Sequence, residues 1–364
     1  MFEIIFICAV AVYFIQLAMF IIGINKKYIK NTNYDDLPSA SIVIAARNEE
    51  NNILRCLESL DRIVYPEGKL EIIIVDDRST DLTKTIADNF IQGRLHFKCI
   101  TTPDDADELK GKANALANGI KIASGEIILT TDADCAVNPL WALTTASYYT
   151  KDVAIVCGYT SQKFSGVFTG MQMLDFMYLL GFAAGVMNLG KPLSCIGNNM
   201  SYRKSAYKEV GGYEAHPFSV TEDFTMLMSI LKLKKYKIIF PMDADNHVVS
   251  NPCNSYKELY WQKKRWGVGG LKSDFAGFAV MSSGFIANCA ILLLPFFFSA
   301  GALYCAIFKI FSDLLFLYSI LKTYKLTYGL KYFMAFEIYF VSYVVLLPFS
   351  VLLSRKVKWK GRTF

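Results

Sequence analysis

The chain opens with a nearly unbroken apolar run, Phe2–Ile24, followed at once by Lys26, Lys27 and Lys30. A helix of that length is long enough to span a bilayer. A cleaved signal peptide carries its basic residues first and small residues at its end, so the order here reads as a retained signal anchor. Basic residues favour the cytoplasmic face. The expectation is therefore an N-terminus outside and the chain after residue 26 inside.

The other end is apolar too. Ser283–Phe308 is long, Phe311–Leu321 is a short run after Lys309, and Tyr332–Leu353 holds Glu337 and Pro348. Three crossings would put Arg355, Lys356, Lys358, Lys360 and Arg362 outside, while two would put them inside and leave Lys309, Lys322, Lys325 and Lys331 outside. Charge favours two crossings and apolar length favours three. Most of the Asp and Glu lie between these ends. With 53% hydrophobic and 19% charged residues, the chain is too apolar for a soluble protein and too charged for a pure membrane bundle. Three parts are expected: an anchor at 1–25, a globular domain at 38–270 and a membrane region of two or three helices at 283–354. Val167–Leu189, apolar but holding Gln172 and Asp175, reads either as an amphipathic helix on the membrane surface or as a core helix of the globular domain.

The net charge of +6 does not mark a nucleic-acid binder, because no basic helix or RNA-binding motif accompanies it. Nine cysteines include no C-x-x-C pair, which fits reduced, buried thiols.

Between the ends, strands and helices alternate. Ser41–Ala46, Glu71–Val75, Leu95–Thr101, Glu126–Thr131 and Val153–Val156 read as strands, and Glu49–Leu60, Leu82–Phe90 and Lys112–Ile122 as helices. That order implies an α/β fold with a parallel sheet covered on both faces, whose ligands bind beyond the carboxyl ends of the strands. Acidic residues gather at those ends: Glu49 and Glu50 after the first strand, Asp76, Asp77 and Asp81 after the second, Asp132 and Asp134 after the fourth. Clustered carboxylates repel one another unless a cation or a donor-rich ligand joins them. Two Asp in D-x-D spacing suit a hard divalent ion such as Mg²⁺ or Mn²⁺ bridging to a diphosphate. The spacing alone is weak, since Asp105–Asp107 and Asp243–Asp245 repeat it. Only Asp132–Asp134 closes a β-branched strand downstream of a second acidic strand end.

Two motifs come later. Thr221-Glu222-Asp223 precedes an amphipathic helix. It reads as a helix cap with acids favouring the dipole, or as a general base. Gln262-Lys263-Lys264-Arg265-Trp266 lies just before the membrane region. It reads as a basic–aromatic membrane anchor, or as a diphosphate and acceptor contact in which Arg forks to phosphate and Trp stacks on a sugar.

Together these motifs resemble the family-2 glycosyltransferases of GT-A (Rossmann-like) fold, especially membrane-bound members related to the processive synthases. The matches run in family order: SIVIAARNEE (41–50), EIIIVDDRSTD (71–81), GKANALANG (111–119), TTDAD (130–134), IGNNMSYRKSAYKEVGGY (196–213), TED (221–223) and QKKRW (262–266). WKGR (359–362) also occurs in some membrane members. The resemblance implies that Ala46 and Glu49 line a nucleotide pocket and that Asp76 or Asp77 bonds the base, usually uracil. It places Lys112 near the phosphates, Asp132 on nucleotide or sugar, and Asp134 on the metal. It makes Asp223, within its TED motif beside Glu222, the catalytic base of an inverting displacement. Gln262, Arg265 and Trp266 would meet diphosphate and acceptor.

Departures are visible as well. Arg47 stands where many members have Tyr or Phe, Arg78 where Gly is common, and no gating loop of the large synthases follows Trp266. The expected activity is thus metal-dependent hexosyl transfer from a UDP-sugar to a lipid or lipid-linked acceptor. The expected place is the cytoplasmic face of the cell membrane, in a multi-pass protein of cell-envelope biosynthesis. The alternatives are a processive polysaccharide synthase, and a non-catalytic scaffold or transporter subunit.

Overall fold

The structure, a computed structural model, describes residues 1–105, 109–271, 273, 275–359 and 362–363. In chain order its helices are α1 (Phe2–Ile24), α2 (Ile53–Leu60), α3 (Thr83–Phe90), α4 (Gly111–Ile122), α5 (Trp141–Ser147) and α6 (Val167–Asn188). They continue with α7 (Lys204–Glu209), α8 (Glu222–Lys232), α9 (Tyr256–Gly270), α10 (Phe275–Leu293), α11 (Ala300–Thr323) and α12 (Phe333–Leu353). The chain divides into two compact units. A sheet unit joins 26–161 to 194–251, and a helical unit joins 1–25, 162–193 and 252–364. The segment 38–270 read from sequence as one domain thus includes two stretches, 162–193 and 252–270, that lie in the helical unit.

In the sheet unit, β1 (Ala40–Ala46) runs between β2 (Leu70–Asp76) and β4 (Ile127–Asp132), with β3 (Phe97–Thr101) outside β2, and all four are parallel. Both faces of β1, β2 and β4 are buried, which is why they read as unbroken β-branched runs. Ile42, Ile44, Ile72, Ile74, Ile127 and Leu129 face Ile53, Leu57 and Trp141 in one core. On the other face α4 lies close to the sheet at Gly119. A Cβ there would stand 2.5 Å from Val43 Cγ1 and 2.8 Å from Val75 Cγ2.

The sheet is not all parallel. Met200–Arg203 pairs antiparallel with β4 and separates it from Val153–Cys157, the expected fifth strand. This short strand inside IGNNMSYRK alternates apolar and polar residues over only four positions. It is fixed by β4, whose Thr130 hydroxyl donates to the carbonyls of Gly197 (2.7 Å) and Met200 (3.0 Å).

In the helical unit, α1, α6, α11 and the segment Thr327–Leu353 are each long and apolar enough to cross a membrane, and α10 contains a shorter apolar helix, Gly277–Leu293. Two expectations are corrected here. Ser283–Phe308 is not one span: α10 ends at Leu293 before Pro295, and Ser299 caps α11 by accepting from the Ala302 N–H at 3.1 Å. Lys309 therefore lies inside α11 rather than between two helices, so the short run Phe311–Leu321 is part of α11. Nor is α6 an amphipathic surface helix or part of the sheet unit's core. It is mostly buried among α1, α11 and α12. Its Gly185 meets Gly23 of α1 backbone to backbone, with no room for a Cβ. Its polar residues are occupied within the unit. Gln172 exchanges hydrogen bonds with the backbone of Cys253 at 3.1 and 2.9 Å, and Asp175 pairs with Lys263.

Candidate active site

Register brings the acidic strand ends to one rim. Ala46 of β1 lies opposite Asp76 of β2, and Ala45 lies opposite Asp132 of β4. At a strand spacing of about 4.8 Å, Asp76 and Asp132 stand about 10 Å apart across β1. The loops after β1 and β2 are knitted together. Asp77 donates its N–H to the Ala46 carbonyl at 2.7 Å, Thr80 N–H reaches Asn48 Oδ1 at 2.9 Å, and Glu49 N–H reaches Thr83 Oγ1 at 2.7 Å. Glu49 is buried and takes the Asn52 amide at 2.7 Å.

Two of the departures from the family pattern are explained here. Arg78, where Gly is common, sits at φ +53°, so the turn keeps the left-handed geometry a glycine would give. Arg78 is held there by Asp77 (3.4 Å), Asp104 (3.1 Å) and Asp105 (2.7 Å). Arg47 donates to the carbonyl of Asp77 at 2.6 Å. Both arginines thus frame Asp77, a role the sequence reading missed. It also discounted Asp105, which accepts from Arg78, from Gly111 N–H (3.2 Å) and from Asn114 (3.3 Å). Its D-x-D partner Asp107 lies outside the described residues. Asp243 of the third copy is structural, bonded to Lys30 at 2.5 Å and Tyr148 at 2.8 Å.

The centre of the site is Lys112, at the start of α4. Its ammonium lies 2.7 Å from Asp132 and 3.1 Å from Glu222, which joins the end of β4 to the start of α8. Burial would pull this lysine's pKa down; the two carboxylates more than offset that and hold it well above the usual range. Asp223 follows immediately. Its Oδ2 accepts the Gly197 N–H and its Oδ1 accepts the Phe224 N–H, both at 2.7 Å. A Cβ on Gly197 would lie 3.3 Å from Asp223 and 3.4 Å from the Lys112 ammonium, so the close approach favours glycine. Gly197 was not singled out from sequence, although IGNN was in view. Lys112, Asp132, Glu222 and Asp223, scattered over 112 positions, are thus brought together.

Asp134 is half-exposed and lies between buried Ala133 and Cys135, with its backbone carbonyl fixed by Arg55 at 2.5 Å. Cys135 N–H closes the turn onto the Asp132 carbonyl at 3.0 Å. Burial first, and then Asp134 and Asp132, push the thiol of Cys135 up, so it stays protonated. Among the described residues no three His, Cys, Asp or Glu side chains form a metal cage by themselves. The donor set still fits Mg²⁺ or Mn²⁺. Such ions are held by one or two carboxylates, with water and substrate phosphates completing the shell.

Gln262, Arg265 and Trp266 lie on α9 of the helical unit and are half-buried. In the WKGR segment, Lys360 and Gly361 are outside the described residues.

The family description "Glycosyl transferase family 2" matches residues 41–211, and "Glycosyl transferase family group 2" matches residues 127–353. A beta-monoglucosyldiacylglycerol synthase of a Nostoc species is 26% identical over 65% of this chain and 50% of its own length. A poly-beta-1,6-N-acetyl-D-glucosamine synthase of Staphylococcus epidermidis is 27% identical over 69% of this chain and 60% of its own. The chain therefore spans only about half to three fifths of these relatives. Among solved structures, a mannosyltransferase from Pyrobaculum calidifontis in complex with GDP-Man and Mn²⁺ superposes with a TM-score of 0.62. It is 18% identical, and the match covers 93% of this chain and 98% of that one. By the family match over more than half its length and by this fold, the chain belongs to the family-2 glycosyltransferases and has the GT-A architecture.

Proposed function

We propose that the protein moves a hexose from a nucleotide-diphosphate donor to a lipid or lipid-linked acceptor, with inversion, at the cytoplasmic face of the cell membrane. The observation that carries this reading is the meeting of Lys112, Asp132, Glu222 and Asp223 at the strand ends. In this reading Ala46, Glu49, Asp76 and Asp77 take the nucleoside, with Asp77 framed by Arg47 and Arg78. Lys112 offers its ammonium to phosphate oxygens, and Glu222 and Asp132 keep it charged. Asp132 and Asp134 would hold Mg²⁺ or Mn²⁺, which when bound neutralises the departing diphosphate. Asp223, its carboxylate aimed by two backbone N–H groups, takes the proton from the acceptor hydroxyl as that oxygen attacks the anomeric carbon. Gln262, Arg265 and Trp266 serve the diphosphate and acceptor.

Helices long and apolar enough to cross a membrane support a membrane acceptor, as does the name of the Nostoc relative. The basic run after Phe2–Ile24 supports the cytoplasmic face. The donor is proposed to be a UDP-sugar; the structural neighbour's GDP-Man makes a guanosine donor the comparison arm. The test is donor hydrolysis and transfer by the purified chain over a panel of UDP- and GDP-sugars, with diacylglycerol and polyisoprenyl phosphate as acceptors. Turnover of no donor, with or without Mg²⁺ or Mn²⁺, would sink the reading. A processive synthase is the second reading, favoured by the Q-x-x-R-W match and the Staphylococcus relative. A ladder of long products would select it.

A further inference from the structure

Lys263 occupies one of the two middle positions of Q-x-x-R-W and is buried, its side chain 5% exposed. It forms an ion pair with Asp175 of α6, whose side chain is 1% exposed. A buried pair of this kind gains little net stability, because desolvating both charges offsets most of their attraction. What it fixes well is register, since any rotation of either helix leaves a charge unpaired. The surroundings add to that constraint. The Lys263 ammonium lies 4.5 Å from the ring centroid of Trp266 and 5.1 Å from that of Tyr343 on α12. Trp266 also packs against Phe176, next to Asp175 on α6, at 5.7 Å between centroids. Consecutive residues of α6 therefore bracket the indole, one through the lysine and one directly.

We propose that Asp175 and Lys263 are positioning residues for the transfer reaction. Through them and Phe176, α6 sets the rotation of α9 and so the presentation of Arg265 and Trp266. This role rests on the reading that Arg265 and Trp266 serve the diphosphate and acceptor. It assigns a task to α6 that neither its composition nor its length suggests.

The test uses the full chain, with transfer kinetics, nucleotide affinity and thermal unfolding measured on each variant. Asp175→Leu/Lys263→Met removes both charges at similar volume, a change that leaves stability near wild type. Because displacements of about 1 Å can cost 10²-fold in rate, kcat should fall by about that factor. Lys263→Arg, which keeps the charge and a donor for Asp175, should recover most of the rate. Wild-type kcat in the stable double variant would overturn the proposal and leave the pair a structural contact. If that variant does not fold, Phe176→Leu decides. A fall in kcat of about tenfold with normal unfolding supports the proposal, and no fall overturns it. Trp266→Ala and Arg265→Ala separate the two levels. If they keep full transfer, the reading of α9 fails; if they lose transfer while the double variant does not, only the positioning role fails.

Discussion

Each unit contains a lysine held between two carboxylates, and the two centres are chemically alike but differently placed. In the sheet unit, Lys112 binds Asp132 and Glu222, with side-chain exposures of 16%, 34% and 10%. In the helical unit, Lys309 binds Asp313 at 2.7 Å and Glu337 at 3.1 Å, with exposures of 0%, 0% and 4%. Asp313 also accepts from Tyr13 at 2.6 Å and Tyr178 at 2.7 Å, so four helices, α1, α6, α11 and α12, meet at one buried polar point. The difference is access. A lysine that solvent reaches, at the carboxyl ends of parallel strands, can exchange its partners for the phosphates of a ligand. A lysine sealed among apolar helices cannot, and serves to fix which helix faces which.

That contrast can be broken by experiment. Removing one partner from a sealed centre leaves uncompensated buried charge, so Lys309→Met should destabilise by about 3–5 kcal/mol, read as a lower unfolding temperature in detergent. Equal stability would show that the centre is open after all. Lys112→Met should do the reverse. The protein stays folded, and transfer falls by about 10²–10³, measured as kcat with saturating donor. A large loss of stability with little loss of rate would erase the distinction between the centres. A smaller effect comes from His247 in the sheet unit, whose burial lowers its pKa to about 4. The unfolded chain takes up this proton near pH 6.5 and the folded chain only near 4. This contribution is therefore whole above pH 6.5 and is lost progressively toward pH 4, about 3 kcal/mol in all. His247→Gln should flatten that part of the pH–stability curve; an unchanged slope would mean that the ring is solvated.

How much of this was legible in the sequence follows the same division. The strands β1, β2 and β4 and their acidic ends were readable because a strand buried on both faces is an unbroken β-branched run, and the chain turns sharply after it. Order along the chain separated Asp132–Asp134 from Asp243, which also follows an apolar run but lies late in the domain, its carboxylate tied to Lys30 and Tyr148. Some of the failures were long-range. Lys309 looked like a break between membrane helices, although Asp313 one turn on and Glu337 28 residues away neutralise it within the helical unit. Asp175 looked like the polar face of a surface helix because its partner Lys263 is 88 residues on. The strand Met200–Arg203 alternates over only four residues and is fixed by its pairing with β4. Arg78 departs from the glycine expected at its turn, yet the turn keeps its shape because three carboxylates hold the side chain there. Local pattern shows where a charge is; whether it is functional or structural depends on what the fold brings to it.

The central claim is that the carboxylates at the strand ends perform transfer, with Asp223 as the base. It is tested most directly by comparing sugar transfer and nucleotide affinity in the wild-type chain and Asp223→Asn. The substitution keeps the size and one accepting oxygen. The account predicts a loss of about 10²–10⁴ in kcat with nucleotide affinity and unfolding temperature unchanged. Transfer at the wild-type rate in Asp223→Asn would contradict it.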